Sequence, residues 1–368
     1  MNPIQLPTPP QRILIIKPSA IGDIVHSLPV LNLLRLKWPA ARISWLVSSS
    51  CAGLLDGHPQ IDEVIRFDRR FFGEGWRNPL AAAGLFGFVR ALKGREFDLV
   101  IDLQGLFRSG WLAARTRAPV RVGPREAREL GWIFYTHRVV TGFPDGHAVD
   151  QYLAIAEALG LGRAPVEFKF PTGDDDRRFI ENLIPHGTKY AVFLPGTNWE
   201  TKRWPPEKFA ACVEPLRERY GLQSIVAGGA GDSILAARIT GARDLTGKTN
   251  LRQLVALLER AELVIANDTG PMHIASALGR PLVSVYGPTS PGRTGPYGRL
   301  GTVVHLDIAC RPCYGRHCSH ISCMRKLEAD EILAMVDEQL RPKAANARTT
   351  PLLVLDRNPS SAAQAMVR

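Results

Sequence analysis

The sequence predicts an α/β protein made of two Rossmann-like, doubly wound domains in tandem. Three observations predict it. Short apolar runs alternate with segments whose apolar residues recur at helical spacing, the pattern of strands and covering helices. The alternation begins near residue 12, pauses in a Pro- and Gly-containing stretch near 165–174, and begins again near 190. Several of the strands end in short turns carrying Gly, Asp or Thr, and open α/β sheets bind ligands at such strand ends.

Residues 12–17 (Arg-Ile-Leu-Ile-Ile-Lys) read as a buried parallel strand. The turn 18–23 follows, and 24–38 carries helical periodicity. Strands are expected at 43–47, 52–55 and 64–67, and a helix at 80–92. A strand at 98–102 runs into Leu103-Gln104-Gly105, and 120–123 is a further short strand. Residues 151–159 form a helix stopped by Gly160 and Gly162. Residues 164–165 and 170–174 read as a linker.

In the second half, strands are expected at 190–194, 224–227, 263–266 and 281–285. Helices are expected at 206–220, 232–240, 251–260 and 271–278, with a last one at 328–340. The domain reading is 1–168, then 169–342, with 343–368 as a loose tail rich in small and polar residues.

At 368 residues, two domains are the default. Apolar residues make up 45%, as in a folded soluble protein, and no uncharged apolar run reaches membrane-spanning length. Residues 1–10 are Pro-rich and carry no charged leader, so they do not read as a signal peptide. A cytoplasmic location is expected. The formal charge of +11 favours anionic partners. The basic residues are scattered, which argues against nucleic acid. A phosphate-rich substrate at a negatively charged lipid surface fits the same charge.

Four strand-end loops carry the chemistry. The first, Lys17 to His26, contains Ser19, Gly22 and Asp23. It matches neither a dinucleotide fingerprint nor a Walker loop. Gly22 permits close backbone approach, and Asp23 at a helix start can act as a general base or merely cap its helix. The second is Leu194 to Pro205, where Thr197, Asn198, Lys202 and Arg203 suit a pyrophosphate. The bland reading is a solvated basic loop. The third, Ala227 to Asp232, is Gly-rich, and Asp232 either meets a ribose or caps the next helix. The fourth is Asn267-Asp268-Thr269-Gly270-Pro271-Met272-His273. It sets a carboxylate, a hydroxyl and an imidazole at a helix N-terminus, where backbone N–H groups attract phosphate. Here too Asp268 or Thr269 can be a simple cap.

Together these pieces resemble glycosyltransferase family 9, the ADP-heptose:lipopolysaccharide heptosyltransferases. The matching segments are 16–29, Asp102-Leu103-Gln104-Gly105-Leu106, Pro195-Gly196-Thr197 with Lys202-Arg203-Trp204-Pro205, and 267–273. The resemblance spans roughly residues 11–340. It implies a GT-B fold, two Rossmann-like domains facing a central cleft. It implies an inverting transfer of heptose from ADP-heptose to the Kdo/heptose inner core of lipopolysaccharide, with no cofactor needed for catalysis. Asp23 is then the base that activates an acceptor hydroxyl. Thr197, Asn198 and Lys202 face the diphosphate, and Asp268, Thr269, Gly270 and His273 hold phosphates and heptose. Asp232 stands where the family usually has a Glu for the adenosine. Ser19, Gly22, Gln104 and Arg128 fall on the acceptor side. The implied partners are ADP-heptose, a lipid-A-linked Kdo acceptor and, peripherally, the inner leaflet of the cytoplasmic membrane.

Cys310, Cys313, Cys318 and Cys323 lie in one loop. Four thiols so close in sequence suffice for a structural zinc or an Fe–S cluster. The spacings of four residues fit reduced thiols without metal equally well. The expected place of this loop is outside the catalytic loops. Two other functions compete with the transferase: a sugar-nucleotide epimerase of the same architecture, and a non-catalytic nucleotide-sugar or metal-binding protein. A transferase using another nucleotide sugar or acceptor also fits.

Overall fold

The computed structural model describes residues 3–68, 78–162 and 164–341, so the expected tail lies outside the described residues. Its two six-stranded sheets are parallel throughout. The first holds β1 (Arg12–Ile16), β2 (Arg42–Ser48), β3 (Glu63–Phe67), β4 (Leu99–Asp102), β5 (Val120–Pro124) and β6 (His137–Val139), in the order β3-β2-β1-β4-β5-β6. The second holds β7 (Tyr190–Leu194), β8 (Gln223–Val226), β9 (Arg243–Asp244), β10 (Leu263–Asn267), β11 (Leu282–Val285) and β12 (Val303–Val304), in the order β12-β11-β10-β7-β8-β9. Counted within its own half, each sheet has the Rossmann strand order. The order reverses between β1 and β4 in one half, and between β7 and β10 in the other. The loops singled out after these four strands therefore lie at the two switch points, where crevices open beyond the strand ends.

The longer helices are α1 (Ile21–Lys37), α2 (Pro79–Lys93), α3 (Phe107–Arg115), α4 (Ala148–Ala158), α5 (Asp174–Leu183), α6 (Pro206–Tyr220), α7 (Leu251–Glu259), α8 (Gly270–Ala277) and α9 (Ala329–Leu340). The central strands are buried on both faces, which explains their unbroken apolar runs.

Several elements differ from the sequence reading. The expected strand at 52–55 is a 3₁₀ turn, Ala52–Leu54, closed by the Leu54 N–H on the Cys51 carbonyl at 3.1 Å. The expected helix at 232–240 is a 3₁₀ turn, Ala230–Asp232, and one helical turn, Ser233–Ala236. Helix α5 begins at the end of the expected linker. Its Asp174, Asp175 and Asp176 lie in the first turn, where carboxylates suit the helix dipole. It packs against α7, and Asp176 accepts from Arg252 at 2.6 Å.

Helix α1 joins the two halves. It is buried from Ile24 to Leu34, because its own sheet covers one side while α4 and α8 cover others. One hydrophobic core runs from β1 and β2 through α1 to α8 and β10. The α1–α8 crossing is tight at two glycines. A Cβ on Gly270 would stand 2.7 Å from Ile21 Cβ, and one on Gly22 would stand 2.6 Å from His273 Cδ2. Gly270→Ala is expected to destabilise the protein by about 1–3 kcal/mol through overpacking. Urea unfolding reads this, and an unchanged midpoint would show that the crossing tolerates a methyl group.

Candidate active site

The turn after β1 holds Asp23 with both oxygens engaged. Oδ2 accepts the Ala20 N–H at 3.1 Å, closing the start of α1. Oδ1 accepts from the Tyr152 hydroxyl at 3.3 Å and lies 3.9 Å from Lys17 Nζ. Asp23 thus caps its helix, and its side chain is still 39% exposed to the cleft. Lys17 is 3% exposed, donates to the Leu103 carbonyl at 3.2 Å, and stands over the Tyr152 ring at 4.9 Å. Burial lowers the Lys17 pKa, opposed by Asp23 and Asp102. Burial also raises the Tyr152 hydroxyl well above its ordinary range, so it remains a proton donor to Asp23.

The turn after β4 is held by Asp102, which is fully buried. Its Oδ1 accepts the N–H groups of Gln104 and Gly105 at 2.8 and 3.2 Å, and its Oδ2 accepts from the Tyr135 hydroxyl at 2.7 Å. Burial raises the Asp102 pKa. Gln104 Oε1 is buried without a hydrogen-bond partner. A cleft opens here, lined by Asp23, Gln104, Glu126, Arg128, Tyr152 and Arg293, among others. Arg128 is tied to this turn by its N–H on the Gly105 carbonyl at 2.9 Å. Arg293 comes from the other half and stacks over Phe143 at 4.9 Å. Ser19 is half-buried in the first turn, and Gly22 is buried against His273.

The second switch point gathers the other predicted residues. Lys202 Nζ lies 2.6 Å from Asp268 Oδ2, and the Thr289 hydroxyl donates to the same oxygen at 2.6 Å. Lys202 also stands over the Trp199 ring at 4.5 Å. Asn267, fully buried, stitches the two loops together. It donates to the Pro195 carbonyl at 2.8 Å and accepts the Trp204 N–H at 3.2 Å. Thr197 donates to the Trp199 carbonyl at 2.6 Å, and Asn198 is exposed in the same loop. Thr269 occupies the N-cap position of α8 without a side-chain cap bond. Neither Asp268 nor Thr269 is therefore spent on capping, and the helix N-terminus stays open. Asp232 does cap its own turn, accepting the Gly229 N–H at 2.9 Å. It also lies against Gly196 and Gly228, so the Gly-rich loop abuts the loop after β7.

The two switch points meet through the buried His26 and His273 and the half-buried His147. His273 feels the charges of Asp268, Asp23 and Lys202, and its ring meets Gly22 of the first turn. His26 Nε2 is 3.0 Å from His273 Nδ1, and the His26 and His147 ring centroids are 5.2 Å apart. His147 donates across the cleft to the Gly295 carbonyl at 3.0 Å.

With this geometry in view, known proteins are informative. Residues 85–323, more than half of the chain, match the model described as "Glycosyltransferase family 9 (heptosyltransferase)". The chain belongs to glycosyltransferase family 9. Among family 9 relatives, lipopolysaccharide heptosyltransferase 1 of Pseudomonas aeruginosa is 32% identical, covering 84% of this chain and 88% of that protein. Lipopolysaccharide core heptosyltransferase OpsX of Haemophilus influenzae is 28% identical over 90% of this chain and 95% of its own length. The structure of E. coli heptosyltransferase WaaC with ADP superposes with a TM-score of 0.72 at 28% identity, covering 89% of this chain and 99% of that one. The fold is accordingly GT-B, and the chain is a glycosyltransferase. Family 9 membership sets aside the epimerase and the non-catalytic reading.

Among the described residues, nothing supports a structural metal at the four thiols of the 310–323 loop. Cys310, Cys313 and Cys318 are exposed, whereas Cys323 is buried in the C-terminal core beside Met324 and Leu327. Among the described residues, no group of three or more His, Cys, Asp or Glu side chains could hold a metal. An arginine organises the loop instead. Arg311 donates to the carbonyls of Gly287, Leu306 (2.8 Å) and Thr289 (3.4 Å). The loop is also not remote from the site. Gly315 accepts from the Thr201 hydroxyl at 2.8 Å, and Arg316 stacks on Trp199 at 4.8 Å.

Lys17, His26, Tyr152 and Arg293 escaped the sequence reading as site residues. Lys17 and His26 flank the first turn and were within sight of it. Tyr152 and Arg293 sit in helical turns far away in sequence, with no local signal.

Burial holds His26, His147 and His273 below the ordinary value of 6.5, His273 at about 4. Between those values the unfolded chain binds more protons than the folded one, so stability falls as pH drops through the window. Each histidine that stays neutral removes on the order of 1.4 kcal/mol per pH unit. Asp102 acts in the opposite sense, one group against three. Urea unfolding is expected to weaken steadily from about pH 7 to pH 5. A flat profile would contradict neutral buried histidines.

Proposed function

We propose that this family 9 enzyme transfers heptose from ADP-heptose to the Kdo/heptose inner core of lipopolysaccharide, with inversion at the anomeric carbon. Asp23 supports this reading best. It is a carboxylate held by Tyr152 and Ala20 at the edge of a cleft that carries Arg128 and Arg293. The named donors and acceptors of the relatives point the same way.

In this reading Asp23 takes the proton of an acceptor hydroxyl as its oxygen attacks the anomeric carbon. The bond from that carbon to the diphosphate breaks on the opposite face, and ADP leaves with the electron pair. Lys202, Thr197, Asn198 and the open N-terminus of α8 meet the charge that builds on the leaving phosphate. Lys202 then exchanges part of its pairing with Asp268 for a phosphate oxygen. Asp268, Thr269, Gly270 and His273 frame the heptose, and Asp232 stands toward the nucleoside. Gln104 Oε1, buried and unpaired, is an acceptor waiting for a substrate hydroxyl. Arg128 and Arg293 bracket the acid groups of the acceptor from the two halves. The division into an acceptor domain, 1–168, and a donor domain, 169–342, belongs to this proposal. No step needs a metal.

Asp23→Asn keeps an oxygen for the Ala20 N–H and removes the base. Transfer is expected to fall by about 10²–10⁴-fold with the unfolding midpoint and ADP binding unchanged. Transfer at the native rate would sink the base assignment. Arg128→Ala and Arg293→Ala are expected to raise KM for the Kdo–lipid A acceptor while leaving ADP binding intact. A screen of nucleotide sugars by mass spectrometry tests the donor. Transfer from another sugar, with none from ADP-heptose, would overturn that choice.

Peripheral membrane seating is part of the same proposal. Among the described residues no helix is long and apolar enough to cross a membrane. Leu80 and Phe86 of α2 are 77% and 72% exposed, and Phe107, Leu130 and Ile133 are exposed near α3, with Arg90, Lys93 and Arg108 also exposed on these helices. Apolar tips among cations suit an anionic leaflet. Phe86→Ser is expected to weaken co-sedimentation with vesicles containing anionic lipid. Equal partition of both proteins, with or without anionic lipid, would remove this face from consideration.

A further inference from the structure

His26 on α1 and His273 on α8 meet where the two halves cross. His26 Nε2 and His273 Nδ1 are 3.0 Å apart, and the rings stand edge-on with centroids 4.3 Å apart. Both side chains are buried. Burial, reinforced by His273, His147 and Lys17, pushes the His26 pKa far down, so the ring is neutral. Burial likewise brings His273 to about 4, against the pull of Asp268 and Asp23. A hydrogen bond between two neutral imidazoles needs one N–H and one bare nitrogen.

The far side of His26 decides which ring donates. His26 Nδ1 is buried and has no hydrogen-bond partner. An orphaned interior N–H is rarer than an under-satisfied acceptor. The His26 proton therefore sits on Nε2 and is donated to His273 Nδ1. His273, being neutral, then carries its own proton on Nε2. The neighbouring His147 follows the same logic with every partner visible. Its Nδ1 accepts the Val149 N–H at 3.1 Å, so its proton is on Nε2, which donates to the Gly295 carbonyl.

His273 Nε2 lies on the ring edge turned to the first switch-point turn. A Cβ on Gly22 would stand 3.2 Å from it, and Asp23 is the next residue. We propose that His26 is a positioning residue that fixes His273 as the neutral Nε2–H tautomer, turned to the Gly22–Asp23 turn as a hydrogen-bond donor. His273 then offers an oxygen of the donor substrate one N–H, and neither a base nor a positive charge. Only that use of the N–H rests on the proposed function. The tautomer itself rests on His26.

The test is long-range proton–nitrogen correlation NMR on the full chain labelled with ¹⁵N-histidine. His273 and His26 are assigned by the signals lost in His273→Gln and His26→Gln. The expected native spectrum has His273 protonated at Nε2 and bare at Nδ1 at neutral pH. His26→Leu should convert this single form into a mixture. His26→Gln, whose amide N–H reaches the place of Nε2, should preserve it. A proton on His273 Nδ1 in the native protein would overturn the proposal, as would a spectrum unmoved by His26→Leu. If the leucine variant does not fold, the native and glutamine spectra still decide. If the tautomer is as stated and ADP-heptose is not a donor, the failure belongs to the proposed function alone.

Discussion

The close crossing of α1 and α8 is the constraint on which the site depends. Two sheets of the same strand order each open a crevice at their own switch point. Neither crevice alone brings Asp23 near the N-terminus of α8. The crossing does so, because Gly22 and Gly270 let the two helix starts touch. Side chains at either position would wedge the halves apart, and His273 would lose its place against the first turn. Packing at two residues without side chains thus sets the distance between chemically active groups on different sheets.

Much of the fold was legible in the sequence, since buried parallel strands write themselves as apolar runs and their ends as Gly- and Asp-bearing turns. β1, β4, β7 and β10 all stand out this way. β6, β9 and β12 did not, because three or two residues carry no period to read. Helix α5 was missed although its three aspartates mark a helix start, since the preceding Pro and Gly suggested a linker. The candidate site was legible wherever its residues share a strand-end loop, as with Asp23, Lys202 and Asp268. Tyr152 and Arg293 join it only through tertiary packing. The cysteines are near in sequence, and the fold leaves Cys310, Cys313 and Cys318 exposed and buries Cys323.

Capping and function turn out not to be rival readings at every turn. Asp23 closes the first turn of α1 with one oxygen and faces Tyr152 with the other. The cap orients the carboxylate, so local helix chemistry supplies part of the site's order. Asp268 is the contrasting case. It ignores its helix and pairs with Lys202 and Thr289, leaving the N–H groups of α8 to whatever anion arrives.

The two halves close the end of their fourth strand differently. Asp102 ties down its own turn through Gln104 and Gly105, and takes one further bond from the Tyr135 hydroxyl. Asn267 reaches out and binds the neighbouring loop at both Pro195 and Trp204. In the second half two loops are therefore welded together through Asn267, and a change in one is felt by the other. The turn after β4 is instead held from three other places in the chain, by Lys17 on the Leu103 carbonyl, the Arg128 N–H on the Gly105 carbonyl and the Tyr135 hydroxyl on Asp102.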